Sequence, residues 1–529
     1  MPSRYHSWFL ISNDIIGNTF VNRILERGKS SMDHFELIFN PETVAVVGAS
    51  NDLDKWGAGI FERVLTAPRV KRLYPVNKTA AEVQGVKAYP TVRDLPEAVD
   101  FVAIVIPFPD VPEVVRDCVA RGVKTALIIT AGLGETGEKG AEMQRDIIDI
   151  ASKGGLRLIG PNCMGHFNMA NDFSTVHREL VIERGGIGVI SQSGAFAGHI
   201  LQCGTEMGAG FSKFVSVGNE ADLHFEDFVE YLAQDDDTKV ITGYIEGLRK
   251  GRDFFRSARQ ITRRKPIIVV KVGRTGAGVK AARSHTGAIA GSDAIYDAVF
   301  KQTGVIRVNE VEELFDVASA LLRQPLPKGN RVAILTGGGG FGCVTSDACE
   351  RLGLDVAPLS PQTLERLNAV LPERWPHANP VDMVAAGWVT YKCLWPLMED
   401  DNLDAVLMIG GVGGRLWWIP GLDSDDPAVR EKAEQIRDSR EKEELENLDK
   451  LFEYMDKYQK PVIIFNHHAD AIKGSIISTR LKENGVMTYP TPERAVRVLA
   501  HLVEYSRYLS SEWLEEESAR LEQDYARVK

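Results

Sequence analysis

The amino-acid sequence predicts an α/β protein of three consecutive parallel-sheet units. Three observations carry this. Short β-branched runs end in glycine-rich turns, each turn opens into a stretch of helical spacing, and the runs recur at distances suited to βαβ crossovers. A chain of 529 residues with 44% hydrophobic and 26% charged residues has material for several cores of the ordinary globular kind.

Residues 1–35 form an N-terminal extension, in which the apolar run WFLI is cut short by Asn13 and Asp14. That run is too short for a secretory core or a membrane span; the extension is read either as leading to an alternative start at Met32 or as an ordered N-terminal helix. The first sheet, over residues 36–168, takes its strands from TVAVVGAS, VDFVAIVIP, TALIITAG and LRLIGPN. The second, over 169–325, takes them from GGIGVISQSG, FVSVGNEAD, VITGYIEG and KPIIVVKVG. QPLPKGN is a proline- and glycine-rich linker. Beyond it RVAILTGGGG, AVLMIGGVGG and KPVIIFNHH supply a third sheet over 326–510, and 511–529 is a charged C-terminal helix. GGIGVISQSGAFAGHILQCGTEMG and NRVAILTGGGGFGCVTSDACERLG share an order of strand, glycine turn, small-residue helix and closing glycine. Duplication and convergence both produce that pattern. Between 415 and 450, charges at helical spacing predict a solvated helical insertion, with Trp417 and Trp418 either lining a pocket or anchoring it on the core.

A net charge of -11 argues against nucleic-acid binding, which needs a basic surface. The 6 cysteines are scattered without metal or disulfide spacing, which fits a reducing cytoplasm, and nothing points to a membrane.

Ligands of open α/β sheets bind beyond the carboxyl ends of the strands, so the strand ends hold the candidate residues. Gly48, Ala49, Ser50 and Asn51 follow the first strand, where backbone amides at a helix N-terminus take a phosphate. The GxGxxG fingerprint is missing, and the second strand ends in LYPVNK without the acid that holds a ribose hydroxyl. Lys78 in that segment favours a phosphorylated ribose, as in coenzyme A or NADP, or is a plain surface lysine. Pro107 and the run Thr130, Ala131, Gly132 end the next two strands and are candidates for the same ligand. GPNCMG places Asn162 and Cys163 after a strand, the amide to bond a ligand and the thiol to pack beside one. A nucleophilic Cys163 would need a base, for which His166 is the local candidate. SQSGAFAG puts Ser191, Ser193 and Gly194 at a helix N-terminus suited to a doubly negative group. It is no hydrolase elbow, because Ser191 stands where the first glycine belongs.

GPNCMG, GVISQSGAFAG, VSVGNEADLHFEDFVEYLAQDDDTKVITGYIEG and KVGRTGAGVKAARSHTGAIAGSD, in this order, resemble the α part of the NDP-forming acyl-CoA synthetases, the superfamily of succinyl-CoA synthetase. The likeness runs over residues 36 to 510. It implies a Rossmann-like CoA-binding domain followed by two flavodoxin-like ligase domains of the succinyl-CoA synthetase type. It also implies that a carboxylic acid, coenzyme A and a nucleoside triphosphate give acyl-CoA, the diphosphate and phosphate through acyl phosphate and phosphohistidine. His285 matches the family's phosphorylated histidine and Glu246 the glutamate that orients it. The chemistry is sound, since a neutral imidazole nitrogen is nucleophilic when an acceptor holds its other nitrogen. The phosphoryl group would rest at Ser191, Ser193 and Gly194 with Gly287 beside it, and glycines 273, 276, 278 and 287 would let the loop travel. A helix cap made by Ser284 or Thr286 is the plainer alternative.

TGGGG, residues 336 to 340, lacks the GK[ST] of a P-loop, and the three units leave no room for an ATP-grasp domain. The resemblance therefore implies that ATP or GTP with Mg2+ is bound by a separate ATP-grasp β subunit, in an αβ or α2β2 complex. HANPVDM places Asp382 either in the acid site or at a helix cap. The resemblance implies a small carboxylic acid as substrate, and the insertion with its tryptophans points to a larger or aromatic one. Two other classes compete: a non-catalytic CoA- or acyl-CoA-sensing subunit, and an NADP-dependent oxidoreductase.

Overall fold

The structure, a computed structural model, describes residues 33–177, 181–280, 292–384, 387–413, 416, 419–466 and 474–511. The expectations for residues 1–32, His285, Gly287, Ser284, Thr286, Trp417, Trp418 and the C-terminal helix from 512 lie outside the described residues. The chain divides into two compact units, Met1–Leu314 and Phe315–Lys529.

The first unit holds two sheets. One is five-stranded and parallel, in the order Arg72–Val76, Thr43–Val47, Phe101–Ile104, Thr125–Ile128, Arg157–Ile159. Three of these strands are buried along their whole length, as β-branched runs covered on both faces should be. Counted along the chain the order is 2-1-3-4-5, so the direction of winding reverses between the first and third strands and opens a crevice at their carboxyl ends.

The helix after the first strand starts later than expected, at Trp56, so Gly48–Asn51 do not lie at its N-terminus. Local polar groups hold the intervening chain in turns instead. The Ser50 hydroxyl accepts from the Asp52 amide at 3.0 Å, and Lys55 closes a turn on the Asp52 carbonyl at 3.1 Å. Asn51 is tied to the Glu82 carbonyl and the Gln84 amide, beside a short hairpin of Glu82–Val83 and Val86–Lys87 that the sequence reading did not separate.

The second sheet runs Gly210–Ser216, Glu183–Ser191, Val240–Ile245, Ile267–Lys271, Ile306–Val308, again 2-1-3-4-5 and parallel. Two short antiparallel strands, His166–Asn168 and Phe173–Ser174, extend its edge, so GPNCMG leads straight from the first sheet into the second. The N-terminal extension is shorter than expected, because residues 33–39 are helical and join this core. Phe35 and Phe39 stack on Tyr231 with ring centroids 4.9 and 5.0 Å apart.

The second unit repeats the order once more, with Asp355–Val356, Arg331–Thr336, Ala405–Ile409, Val462–Phe465 and Thr488–Tyr489; Val381–Asp382 also pairs with the strand ending at Thr336. The division between units falls inside the helix Val311–Arg323, ahead of QPLPKGN, because Asp316 of that helix pairs with Arg494 and its carbonyl takes the Tyr489 hydroxyl. The insertion is one helix of 32 residues, Pro427–Tyr458, running past the expected end at 450. Its first half is largely exposed, while Leu448, Leu451 and Met455 bury its last turns in the core, so only part of it is solvated. Among the described residues no helix is long and apolar enough to cross a membrane.

Candidate functional site

At the crevice of the first sheet, Gly48 has φ +92, and a Cβ there would meet the Val105 carbonyl oxygen at 2.1 Å. A Cβ on Gly57 would meet the Gly48 carbonyl oxygen at 2.0 Å. Strand, helix and neighbouring strand thus approach through two glycines, the work that a GxGxxG fingerprint does at another spacing. Ala49 and Ser50 are buried, and the Ala49 carbonyl accepts from the Asn77 side chain at 2.8 Å. Lys78 is exposed and reaches Asp110 at 3.3 Å, so its charge arrives at the crevice already paired with an acid.

The other strand ends gather nearby. Pro107 and Ala131 are exposed, and the Thr130 hydroxyl donates to the Ile106 carbonyl at 2.7 Å. The Gly132 amide donates to Glu135, whose second oxygen accepts from Asn219 at 2.6 Å. Asn162, at φ 58, donates its amide N–H to the Thr130 carbonyl at 2.9 Å and its side chain to Asn219 at 3.2 Å. The structure therefore brings Pro107, Thr130–Gly132 and Asn162 together, with Gly48–Asn51 and Lys78 on the adjoining strand ends.

Cys163 lies beneath this loop, 4% exposed, its thiol donating to the Ile128 carbonyl at 3.3 Å. Burial pushes the thiol up to about 12, so it stays protonated and is no nucleophile. His166 is no base for it. Nε2 donates to the Ile38 carbonyl at 2.8 Å, Nδ1 accepts from Thr175 at 3.0 Å, and burial lowers the ring to about 4.

At the second sheet, Glu183–Ser191 delivers the chain into the helix Gly194–Glu206. The buried Ser191 hydroxyl donates to the Ser193 carbonyl at 2.9 Å and accepts from the Ser193 amide at 3.2 Å. Ser193 caps the helix, accepting from the Phe196 amide at 3.3 Å. Both hydroxyls are engaged in shaping the turn, so what it offers an anion is a helix start with no acidic residue in its first turn.

Glu246 ends the strand Val240–Ile245, which is parallel to Glu183–Ser191 across the point where the winding reverses. One residue that sequence reasoning missed joins the two loops. Gln192 accepts from the Glu246 amide at 2.5 Å and the Gly247 amide at 3.1 Å. It donates to the Gly247 carbonyl at 2.6 Å and to Glu220 at 2.9 Å. The segment bearing His285 leaves from the neighbouring strand Ile267–Lys271 and returns to the helix Asp293–Thr303, whose Tyr296 hydroxyl accepts from the Leu248 amide at 3.2 Å. His285 and Gly287 themselves lie outside the described residues.

In the second unit, Thr336 repeats the hydroxyl turn, and Asp382 pairs in register with it. The Asp382 carboxylate accepts from the Val384 amide at 2.8 Å, and its other oxygen lies 3.3 Å from where a Cβ on Gly339 would stand, at the start of the helix Gly339–Arg351. Among the described residues no cluster of three or more His, Cys, Asp or Glu side chains is arranged to hold a metal.

Residues 42–169 match the family described as CoA binding domain, and 184–321 the succinyl-CoA ligase like flavodoxin domain. The acetate–CoA ligase (ADP-forming) II subunit alpha of Pyrococcus furiosus is 44% identical over 72% of this chain and 82% of its own length. The acetate–CoA ligase (ADP-forming) I of Archaeoglobus fulgidus is 41% identical over 71% of this chain, but the match spans only 54% of that longer protein. The 4-hydroxybutyrate–CoA ligase (ADP-forming) of Nitrosopumilus maritimus is 37% identical over 90% of this chain and 64% of its own. Among solved structures, the dinucleotide-forming acetyl-coenzyme A synthetase 1 of Ca. Korarchaeum cryptofilum, in complex with phosphate and ADP, superposes with a TM-score of 0.75 at 32% identity. That match covers 90% of this chain and 98% of that one.

Proposed function

The chain belongs to the NDP-forming acyl-CoA synthetases, and on that premise we propose that it is the α-type part of an acid–CoA ligase. The reaction makes acyl-CoA from a carboxylic acid, coenzyme A and ATP, or runs in reverse. One observation carries this reading: Glu246 stands at the winding reversal of the second sheet, fixed to the turn of Ser191–Gly194, in the same unit as the CoA-type strand ends.

In the forward direction the imidazole of His285 attacks the γ-phosphorus of ATP and ADP leaves. Glu246 accepts the hydrogen bond of the other ring nitrogen and stabilises its developing charge. The phosphoryl group then rests at the helix start at Gly194, where the macrodipole and helix-start amides balance its charge. The substrate carboxylate attacks phosphorus, giving acyl phosphate and restoring His285. The thiol of coenzyme A attacks the acyl carbon, and phosphate departs. Coenzyme A lies along Gly48–Asn51, Lys78, Pro107, Thr130–Gly132 and Asn162, while ATP with Mg2+ is held by an ATP-grasp partner.

The test is to mix the chain with a candidate ATP-grasp subunit and γ-labelled ATP and assay for acid-labile phosphohistidine. Wild type should label and His285→Ala should not. Label persisting in His285→Ala refutes the site, and ATP turnover by the chain alone refutes the separate partner.

A further inference from the structure

The phosphoryl-transfer scheme gives no task to Gln192, the residue between the two serines of the turn, yet the residue is 8% exposed and its side chain is fully bonded. A glutamine amide has two lone pairs and two N–H groups. Here the oxygen accepts from the amides of Glu246 and Gly247, at 2.5 and 3.1 Å, and the nitrogen donates to the Gly247 carbonyl and Glu220, at 2.6 and 2.9 Å. The amide has one workable orientation. Turned over, it would set N–H against two N–H groups and oxygen against a carbonyl and a carboxylate.

Glu220 locks that orientation. It is 6% exposed, sits at φ 53, and its other oxygen accepts from the Phe225 amide at 2.7 Å. Arg249 stands 3.6 Å away, Glu226 is the other acid near it, and burial pushes the Glu220 carboxyl up to about 7.

We propose that Gln192 is a positioning residue for Glu246, clamping the Glu246–Gly247 peptide in an orientation that Glu220 enforces. The proposal rests on reading Glu246 as the orienting carboxylate of His285. A carboxylate that orients a nucleophile needs such support, since a misplacement of about 1 Å costs on the order of 100-fold in rate.

Three variants of the full chain, assayed with its ATP-grasp partner and labelled ATP, test the clamp. Gln192→Leu should form phosphohistidine roughly 30- to 100-fold more slowly while calorimetric affinity for coenzyme A stays within about twofold. Gln192→Glu sets a second carboxyl against Glu220, near Glu226 and Arg249. It should be slow at pH 8 and partly recover towards pH 6, as the pair takes up a shared proton. Gln192→Glu with Glu220→Gln exchanges amide and carboxylate. Oxygen still faces the two amides and a donor still joins 192 to 220, but the Gly247 carbonyl now meets a carboxylate oxygen instead of an N–H, so labelling should recover only in part, rising roughly threefold to tenfold above Gln192→Glu. Recovery on exchange is something a merely structural role does not produce, and it holds the test open if Gln192→Leu does not fold. A wild-type rate in Gln192→Leu, or a folded exchange variant as slow as the single Gln192→Glu change, overturns the proposal. Hydrogen exchange of the peptide covering Glu246–Gly247 checks the clamp without catalysis: it should speed up selectively in Gln192→Leu, and unchanged exchange there also overturns it. Failure of the wild-type chain to label, with the exchange difference present, counts against the histidine reading alone.

Discussion

At Ser191 and at Thr336 a central strand ends in a buried hydroxyl that reaches two residues ahead. Ser191 bonds the carbonyl and amide of Ser193 at 2.9 and 3.2 Å, and Thr336 bonds those of Gly338 at 3.1 and 3.3 Å. Beyond the hydroxyl the two turns part. The first continues with Ser193 as a helix cap and Gln192 as a clamp on the Glu246 loop. The second has glycines at both places and no side-chain cap, and it brings Asp382 close to its helix start. The same backbone device is therefore electrostatically open in one unit and already faced by a carboxylate in the other. Strand-end topology sets where a ligand edge lies, and a few neighbouring side chains set the sign of charge it welcomes.

The sharpest way to break the contrast is to give the first turn the charge of the second. Ser193→Asp keeps a good N-cap, so the fold should hold, but phosphohistidine formation with the partner should fall by on the order of 100-fold. Next is pH, because the clamp contains Glu220, whose carboxyl burial raises to about 7 from 4.5. An acid with a raised folded pKa contributes its stability fully below 4.5 and loses it as pH rises through about 7. Wild type should thus gain on Glu220→Gln by up to about 3 kcal/mol as pH falls from about 7 to 4.5, read from urea melts at each pH. The likeness of the two hydroxyls can be weighed directly. Ser191→Ala and Thr336→Val should each destabilise their own unit by roughly 1–2 kcal/mol, and a difference beyond about 1 kcal/mol between them would end the analogy. The smallest effect is expected at Asp382. Asp382→Asn should strengthen weak phosphate binding at the Gly339 turn by roughly threefold to fivefold, measured by chemical-shift titration.

Much of this was legible in the sequence because strand ends and glycine turns carry their own chemistry. Strands end at Val47, Ser191, Ile245 and Thr336, at the turns the sequence marks with Gly48, Ser191, Glu246 and Thr336. Other features depend on partners far along the chain. The strands His166–Asn168 and Phe173–Ser174 are too short to show periodicity, and they exist because an edge of the second sheet accepts them. The late start of the helix at Trp56 follows from side-chain bonds made by Ser50 and Asn51, which no helical pattern announces. Gln192 was passed over because glutamine has no signature of its own. Its importance lies in meeting Glu220 and Glu246, which only the fold brings within reach.

Asn219 and Glu220 are consecutive, and they serve different sheets. Asn219 bonds Asn162, Glu135 and Gln144 on the side of the first sheet, and Glu220 bonds Gln192 on the side of the second. Gly218 ahead of them leaves no room for a Cβ, which would stand 2.2 Å from the Pro161 carbonyl oxygen. A single inserted or deleted residue there would throw both sets of bonds out of phase at once. The stretch is therefore a seam, and a break in it should loosen both sheets together, so that they open as one cooperative piece.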